Sequence, residues 1–352
     1  MSKKTIALIG ESFGGTGKGL YPVEISKSIN RISKKYKVKL FMRDTANYSS
    51  KFAVKVKTFK TRLRVIAGLG YYIPLLLKLK RDKSIDLIHA YDEKTNLVAT
   101  LLNKPVVTTI CDMYPVEFNR FPMKNFFQLI YRLLGRCDQI VTISKNTADK
   151  LIKKFPTFSE KVTPIHLGVD INRFKPGYKK DKKTITIGIL CSEDEKLVEV
   201  FKKILLEYGD NVKVILGGRT IPKEFNILKS FSNVTFGGFI KESELSKYYQ
   251  NIDIFVYNTN IAAFELIPVE AMSSGCAVVV SNVGALPEVV QEGAILTDNT
   301  EKGFYDAIKK LLEDKNLMLK YKKRGRKRSK ELTWDTCAKK YMKVYDKVLG
   351  LS

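Results

Sequence analysis

The sequence predicts an α/β fold with two domains, each built on a parallel β-sheet. Short runs rich in β-branched and aromatic residues, such as residues 252–257 and 277–280, alternate with helical stretches along the chain, as expected for parallel strands joined by helices. A polar, lysine-rich segment ending at Lys183 interrupts the alternation. Since 352 residues are too many for one ordinary core, we place a first domain at residues 1–170, a linker at residues 171–183 and a second domain at residues 184–335.

The composition excludes several kinds of site. A content of 44% apolar and 28% charged residues is ordinary for a soluble globular protein. The five cysteines stand 26 or more residues apart, without a Cys-x-x-Cys pair, which argues for reduced thiols in the cytoplasm and against disulfides or a zinc site. The two histidines, His89 and His166, are too few for a multi-histidine metal centre. The composition therefore argues against a metal centre built from several histidines or cysteines.

Positive charge is concentrated in the first half of the chain. The formal net charge is +26, of which residues 1–176 carry +20 and residues 177–352 carry +6. This asymmetry indicates that the first half meets an anionic partner, either a membrane surface, a nucleic acid or a phosphorylated substrate. Solvated lysine-rich faces, as in heat-adapted proteins, are the alternative.

An uncharged run of 13 residues, 65–77, lies in this basic half and is followed by Lys78, Lys80, Arg81 and Lys83. It is shorter than the roughly 20 residues that a membrane-spanning helix needs. Two interpretations remain open: a core helix with a basic end, or an interfacial patch that dips among anionic headgroups. The second would place this cytoplasmic protein on the inner face of the cell membrane.

Two further patterns suggest contacts with anions. A glycine-rich turn after the first strand contains Gly15 and Gly17. It lacks the P-loop pattern, because Ser12 and Gly19 stand where that motif needs glycine and a hydroxyl residue. Its backbone N–H groups are either a cradle for an anion or part of a tight turn without a ligand. The basic run at residues 322–328 favours a solvated helix face over a nucleic-acid contact.

Residues 251–300 contain six acidic residues and no lysine or arginine. This segment has the pattern of strand, loop, helix, strand, loop and helix. Its first helix is predicted to begin at Pro268 and to have Glu270 in its first turn. The lack of cations fits either a buried sheet layer or a pocket whose carboxylates hold sugar or ribose hydroxyls. Both interpretations are consistent with a ligand site at the carboxyl ends of parallel strands.

Short motifs occur along the chain in one particular order. They are Asp86-Leu-Ile-His89, Pro105-Val-Val-Thr-Thr109, Cys137-Asp138-x-Ile-Val-x-Ile-Ser144, Gly168-Val-Asp170 with Phe174-x-Pro176, Phe264-x-Leu266 with Glu270-Ala-Met272, Gly284-x-x-Pro287-Glu288, and Trp334. This series resembles glycosyltransferase family 4, the retaining nucleotide-sugar glycosyltransferases of the GT-B fold. The resemblance covers nearly the whole chain.

The resemblance implies two Rossmann-like domains facing across a cleft, with residues 336–352 forming a helix that crosses back to the first domain. The second domain would bind a nucleotide-diphosphate sugar, which is a co-substrate rather than a cofactor. The first would bind a lipid-linked or glycan acceptor. The implied reaction is a metal-independent, retaining hexosyl transfer in polysaccharide or glycolipid biosynthesis.

The resemblance also assigns residues to roles. Glu270 matches the family's glutamate that holds the donor's ribose hydroxyls, and Cys111 stands where a histidine is often found; we predict both as catalytic residues. The loop before Glu270 would meet the diphosphate through backbone N–H groups. The donor-binding residues that we predict are Gly15, Gly17, Lys196, Arg219, Phe264, Glu265, Leu266, Ile267, Val269 and Glu270.

Three positions depart from the family pattern. Ala262 stands where the family has a first glutamate, Ile189 where it has a phosphate-binding arginine, and Cys111 at the histidine position. Arg219 or Lys18 would then replace the arginine. These departures keep open an alternative function, a catalytically degenerate GT-B relative that binds a nucleotide or a partner protein.

Overall fold

The computed structural model describes residues 2–11, 13, 19–46, 48–58, 70–113, 117, 123–177, 183–190, 195–218 and 221–351. Gly15, Gly17, Lys18 and Arg219, all candidates for anion binding, lie outside these residues, as does the first part of the apolar run, 65–69. The chain divides into two compact units, unit 1 (residues 1–167 and 334–352) and unit 2 (residues 168–333). The expected linker begins with residues that belong to unit 2, and residues 178–182 within it are not described.

Unit 1 is built on a seven-stranded parallel sheet with the strand order β3-β2-β1-β4-β5-β6-β7. The strands are β1 (Lys4–Ile9), β2 (Tyr36–Arg43), β3 (Ala53–Val56), β4 (Leu87–Ala90), β5 (Val106–Ile110), β6 (Gln139–Thr142) and β7 (Val162–Pro164). The α-helices before residue 167 that lie in the described part of the chain are α1 (Leu20–Ile32), α2 (Tyr72–Arg81), α3 (Glu93–Thr100), α4 (Met123–Leu133) and α5 (Lys145–Lys154). The basic sequence of residues 44–64 has no strand pattern and predicts an irregular segment, whereas β3 lies within it.

Unit 2 is built on a six-stranded parallel sheet with the strand order β10-β9-β8-β11-β12-β13. The strands are β8 (Ile185–Leu190), β9 (Val212–Gly217), β10 (Val234–Gly238), β11 (Ile254–Tyr257), β12 (Ala277–Ser281) and β13 (Ile295–Thr297). The helices are α6 (Leu197–Tyr208), α7 (Leu245–Gln250), α8 (Leu266–Ser273), α9 (Leu286–Val290), α10 (Glu301–Glu313) and α11 (Lys315–Glu331).

The central strands of both sheets are apolar and buried. Every residue of β11 and of β12 is buried, as is every residue of β4 and of β5. Helices cover both faces of an all-parallel sheet, so its strands read as nearly continuous apolar runs rather than as alternating ones. The two parallel-sheet domains predicted from the sequence are confirmed.

The last helix, α12 (Trp334–Val348), packs in unit 1 through a buried polar network. Nδ1 of His89, on β4, lies 2.7 Å from the hydroxyl of Tyr345, and its Nε2 lies 2.8 Å from the hydroxyl of Thr109 on β5. The Thr109 hydroxyl is also 2.9 Å from that of Tyr341. Burial lowers the pKa of His89 to about 3, so the ring is neutral at physiological pH and both of its nitrogens take part in neutral hydrogen bonds.

The basic run at residues 322–328 belongs to α11, and several of its members stabilise unit 2. The ammonium of Lys322 lies 2.8 Å from Asp253, a half-buried pair. The guanidinium of Arg328 donates to the carbonyl oxygens of Val289 and Glu288, at 2.9 and 3.0 Å, and so satisfies acceptors at the end of α9. A Cβ on Gly325 would lie 2.9 Å from the carbonyl oxygen of Gly293. These contacts explain the residues at positions 322, 325 and 328 by their role in the fold, without a bound nucleic acid.

Among the described residues, no helix is both long enough and apolar enough to cross a membrane.

Replacement of Tyr345 by phenylalanine tests the network under α12. It would leave Nδ1 of the buried His89 without its partner at 2.7 Å, and an unsatisfied buried polar group costs about 1–3 kcal/mol. We expect Tyr345→Phe to lower the free energy of unfolding in urea by that amount.

The matched control is Tyr208→Phe, whose hydroxyl lies 3.1 Å from the exposed carboxylate of Glu313. That change should cost no more than about 0.5 kcal/mol, as for other surface substitutions. Equal losses in the two variants would contradict the structural role of the network.

Candidate functional site

The carboxyl ends of β8 and β11 mark the topological switch point of unit 2. The chain builds the sheet outwards in both directions from these neighbouring strands, and ligands of open parallel sheets bind at such a point. The loops that follow β11, β12 and β13 are described, together with Lys196 before α6. The predicted donor-binding residues of the second domain that lie in the described part of the chain are found on these segments and on α8.

Glu270 lies in the second turn of α8, which begins at Leu266. The prediction that this helix begins at Pro268, with Glu270 in its first turn, is therefore wrong. The difference matters because the dipole acts within the first turn, so it does not stabilise the Glu270 carboxylate. The sequence misled us because proline is tolerated throughout the first turn of a helix, where its missing N–H is no loss, and here it occupies the third position.

Glu270 is a buried carboxyl, with 8% of its surface exposed. Among the described residues, its Oε2 accepts a hydrogen bond from the hydroxyl of Tyr249 at 3.1 Å. Burial raises the pKa of Glu270 to about 7, whereas the Tyr249 hydrogen bond and the charge of Arg173 act in the opposite direction. A carboxyl that titrates near neutral pH is common at functional sites.

Glu265, immediately before α8, has an unusual backbone conformation. Its φ is +68°, in a region that residues other than glycine seldom adopt. Its carboxylate accepts a hydrogen bond from the hydroxyl of Tyr257, at the end of β11, at 2.6 Å. Burial raises the pKa of Glu265. Strain of this kind costs about 1–3 kcal/mol and is concentrated at functional sites.

The other predicted residues around α8 can contact a ligand mainly through their backbone. The side chain of Phe264 is 1% exposed and that of Val269 is fully buried, while Leu266 and Ile267 are half-buried. The N–H groups in the first turn of a helix have no acceptor within the helix. The start of α8 therefore offers donors to an anion, whereas the apolar side chains anchor the helix.

Lys196 joins three loops at the carboxyl edge of this sheet. Its ammonium lies 3.3 Å from the carbonyl oxygen of Asn299, after β13, and 3.5 Å from the amide oxygen of Asn260, after β11. The two asparagines also bond to each other at 3.0 Å. Ser281, at the end of β12, donates to Asn299 at 2.8 Å. These contacts hold the loops after β11, β12 and β13 together.

Our sequence reasoning missed Asn260, Ser281 and Asn299. Each is an ordinary polar residue in a loop or at a strand end, and only the sheet order brings them together. Asn299 has a φ of +64°, in the left-handed region that asparagine tolerates best after glycine. The sequence Asp298-Asn299 after an apolar run is a turn signal, but that signal does not identify the contacts.

The structure shows the surroundings of two positions that depart from the family pattern. The carbonyl oxygen of Ala262 accepts a hydrogen bond from the N–H of Ala285 at 3.0 Å, and a Cβ on Gly284, whose φ is +56°, would lie 2.2 Å from that oxygen. Residue 262 thus lies against the loop before α9. Ile189 lies within β8 and is 2% exposed in the core. Position 189 is therefore part of the strand itself and not of the loop that follows it.

Cys111, the second predicted catalytic residue, belongs to unit 1. It directly follows β5 and is 9% exposed. Its position at the carboxyl end of a central strand is one at which catalytic residues of α/β proteins occur.

No group of three or more histidine, cysteine, aspartate or glutamate side chains suitable for a metal ion occurs among the residues that the structure describes.

Two family models match the chain. The model of Glycosyltransferase Family 4 matches residues 29–173, and that of Glycosyl transferases group 1 matches residues 170–328. The first lies largely in unit 1 and the second in unit 2.

Individual proteins support the same assignment. The O-antigen chain mannosyltransferase RfbU of Salmonella typhimurium is 26% identical over 266 residues, which are 72% of this chain and 72% of RfbU. The N,N'-diacetylbacillosaminyl-diphospho-undecaprenol alpha-1,3-N-acetylgalactosaminyltransferase of Campylobacter jejuni is 23% identical over 305 residues, 78% of this chain and 80% of the relative.

A solved structure shows the fold. Anabaena HepE in complex with UDP and glucose superposes with a TM-score of 0.76 at 16% identity, covering 98% of this chain and all of HepE. With the two family models and the two parallel-sheet units, this likeness shows that the chain belongs to the glycosyltransferases of the GT-B fold and carries the family 4 domain in its first half.

Proposed function

We propose that this glycosyltransferase is a retaining, metal-independent enzyme that moves a hexose from a nucleotide-diphosphate sugar bound by unit 2 to a lipid-linked or glycan acceptor. The observation that carries the donor site is the buried Glu270. Its carboxyl accepts a hydrogen bond from Tyr249, and further donors would stabilise its charged form. The two hydroxyls of a ribose are such donors, because hydrogen bonds to an ionised acceptor are stronger than neutral ones.

The leaving diphosphate must be stabilised without an arginine at position 189. As the sugar–phosphate bond breaks, negative charge develops on the diphosphate, and fixed donors and cations lower the energy of that state. We assign this role to the backbone N–H groups at the start of α8 and to Lys196, whose ammonium is already positioned by Asn260 and Asn299. Glu265, held by Tyr257, would accept hydrogen bonds from sugar hydroxyls in place of a glutamate at position 262.

A lipid-linked acceptor would bring the enzyme to a membrane surface. The name of the Campylobacter relative describes an acceptor carried on diphospho-undecaprenol. In unit 1, Ile73 and Leu77 are one helical turn apart on α2 and are 47% and 44% exposed, with the exposed Lys80 and Arg81 in the next turn. Apolar residues on one side of a short basic helix fit the surface of an anionic bilayer. We propose peripheral binding through this helix, which is the second interpretation of the apolar run.

The second candidate function, a degenerate relative, is favoured by Ala262 at the first glutamate position. Such a protein would bind a nucleotide through the same residues but transfer no sugar. Nucleotide binding by unit 2 with no turnover for any acceptor would support it.

The first prediction concerns donor binding. A panel of uridine, guanosine and adenosine diphosphate sugars should contain at least one that raises the melting temperature by about 5–10 °C. Binding at a hundredfold excess over Kd contributes about 2.7 kcal/mol, and each kcal/mol corresponds to about 2–4 °C for a domain of this size. Glu270→Ala should abolish the shift and lower kcat/KM by orders of magnitude.

The control for this experiment is Glu292→Ala, which removes a carboxylate from the same cation-free segment. The Glu292 side chain is 83% exposed, and we expect its loss to leave the shift unchanged. A full shift in Glu270→Ala would contradict the assigned donor site.

The second prediction concerns pH. Below a pH of about 7 the Glu270 carboxyl is increasingly neutral, so the donor's hydroxyls lose their charged acceptor. The affinity for the nucleotide sugar should fall as the pH drops from about 8 to about 6, by up to about tenfold per unit. Glu270→Gln should bind weakly with no such dependence, as measured by calorimetric titration.

The stability of the unliganded protein should change with pH in the direction opposite to that of the donor affinity, falling as the pH rises. Because burial raises the pKa of Glu270 from 4.5 to about 7, the folded state holds this proton more tightly than the unfolded state. The stability that this tighter proton binding contributes is largest below pH 4.5 and is lost as the pH rises through 7. Glu270→Gln should therefore stabilise the protein at about pH 8, by up to about 3 kcal/mol, and change little near pH 4. Equal effects at both values would count against a shifted carboxyl.

The third prediction concerns the membrane. Replacement of Ile73 and Leu77 by aspartate should abolish sedimentation with vesicles that contain anionic phospholipid. Leu206→Asp is the control, because Leu206 is 68% exposed on α6 of unit 2. If the double variant sediments as the unchanged protein does, α2 is not the membrane contact.

A further inference from the structure

Unit 1 has a cluster of charged side chains at the carboxyl edge of its own sheet, which the family assignment leaves without a role. Glu11 follows β1, Arg43 ends β2, and Lys94 lies in the first turn of α3, after β4. Strands β1 and β4 are neighbours at the switch point of this sheet. We call Glu11, Arg43, Tyr72 and Lys94 the β1–β4 cluster.

The carboxylate of Glu11 is the centre of this cluster. The guanidinium of Arg43 lies 2.8 Å from its Oε1, and the hydroxyl of Tyr72, on α2, donates to the same oxygen. The ammonium of Lys94 is 3.4 Å from Oε2. Glu11 and Arg43 are 27% and 35% exposed and Lys94 is 51% exposed, so a ligand can reach all three.

The aromatic ring of Tyr71 fixes the position of Arg43 in the cluster. The guanidinium of Arg43 stacks on the ring of Tyr71, 4.9 Å from its centre, and the Tyr71 hydroxyl donates to the carbonyl oxygens of Gly10 and Phe41 at 3.0 Å. Among the described residues, the buried Nε of Arg43 has no hydrogen-bond acceptor. The stacking on Tyr71 and the ion pair with Glu11 thus hold the Arg43 guanidinium in one position, as a preorganised binding residue requires.

Asp92 fixes the position of Glu11. One of its carboxylate oxygens accepts a hydrogen bond from the N–H of Glu11 at 2.8 Å, and the other caps α3 by accepting from the N–H of Thr95 at 2.9 Å. Burial, together with the charge of Glu11, raises the pKa of Asp92 to about 6. A Cβ on Gly10 would lie 1.9 Å from the ring of Tyr91, so only glycine fits immediately before Glu11.

The chemistry of the cluster fits hydroxyl groups better than phosphate. The positive charges of Arg43 and Lys94 nearly cancel the negative charges of the Glu11 carboxylate and the buried Asp92 carboxylate. An anion would therefore be attracted only weakly and would be repelled by Glu11. A pair of neighbouring hydroxyls can donate to a carboxylate and accept from a guanidinium or ammonium at the same time. The half-buried ring of Tyr72 beside them adds an apolar surface for the C–H groups of a sugar ring.

We propose that the β1–β4 cluster binds the terminal sugar of the acceptor, with Glu11 accepting from one ring hydroxyl and Arg43 and Lys94 donating to its neighbour. This inference rests on the proposed function, since it names the acceptor group that unit 1 recognises. The acceptor thus ends in a neutral sugar with adjacent free hydroxyls, and the phosphate of any lipid carrier lies away from these residues.

The test uses the full-length protein and simple probes, the methyl glycosides of mannose, glucose, galactose and N-acetylglucosamine. Saturation-transfer NMR should detect binding of at least one of them. Glu11→Gln and Arg43→Lys should each weaken that binding by about tenfold or more, because hydrogen bonds to charged groups contribute about 1.5–3 kcal/mol. The shift of melting temperature produced by a nucleotide sugar should remain in both variants.

The matched control is Asp86→Asn, which breaks a similar ion pair at the opposite edge of the same sheet. Lys4 and Asp86 are 2.9 Å apart and 44% and 28% exposed, and the loss of this pair should leave glycoside binding unchanged. The inference is overturned if no glycoside binds, if Glu11→Gln binds as the unchanged protein does, or if inorganic pyrophosphate displaces the glycoside from the cluster.

Failure of this test is distinct from failure of the proposed function. Loss of the nucleotide-sugar shift in Glu270→Ala concerns unit 2 alone. If that shift behaves as expected and the glycosides do not bind to unit 1, the donor assignment stands and the sugar-binding role of the cluster falls.

Discussion

Central parallel strands that are covered on both faces leave little place for charged side chains, and this constraint decides where the charged groups beside these strands lie. In unit 2 the strands β11 and β12 are buried throughout, so Lys196, Asn260 and Asn299 occupy the loops at the carboxyl ends. In unit 1 the same constraint places Glu11, Arg43 and Lys94 after or at the ends of β1, β2 and β4. Each sheet thus gathers, at its edge, residues that are far apart in the sequence.

Glu270 is an exception, because it is buried and yet charged in the function that we propose for it. Removing an isolated carboxylate from water is costly, and the usual response is a raised pKa, as is found here. The cost is tolerated because α8 is anchored by apolar side chains on both sides of Glu270, including the fully buried Val269 and Ala271. The same burial makes the carboxyl responsive to a ligand, since each hydroxyl that donates to it favours the ionised form.

Several sequence features that suggest a partner stabilise the fold instead. Lys322 and Arg328, in the basic run, bond to Asp253 and to the end of α9. His89, one of the two histidines, is a neutral buried residue between Thr109 and Tyr345, where it anchors the last helix. Charge or rarity alone does not distinguish such residues from binding residues, because only the tertiary structure shows which contacts each of them makes.

The sequence by itself determined the fold class and the restart of the strand–helix alternation, because periodicity and residue type decide which segments are buried strands and helices. It placed the start of α8 two residues too late, because proline fits any position in the first turn of a helix. It also left β3 out, because the pairing of a short strand with its neighbour is not visible in the local sequence. Only the tertiary structure decided that Ile189 lies in the core of unit 2 and that Lys196 meets Asn260 and Asn299. It alone brought Glu11, Arg43 and Lys94 together, because contacts between the ends of neighbouring strands depend on the order of strands in the sheet, which no local pattern encodes.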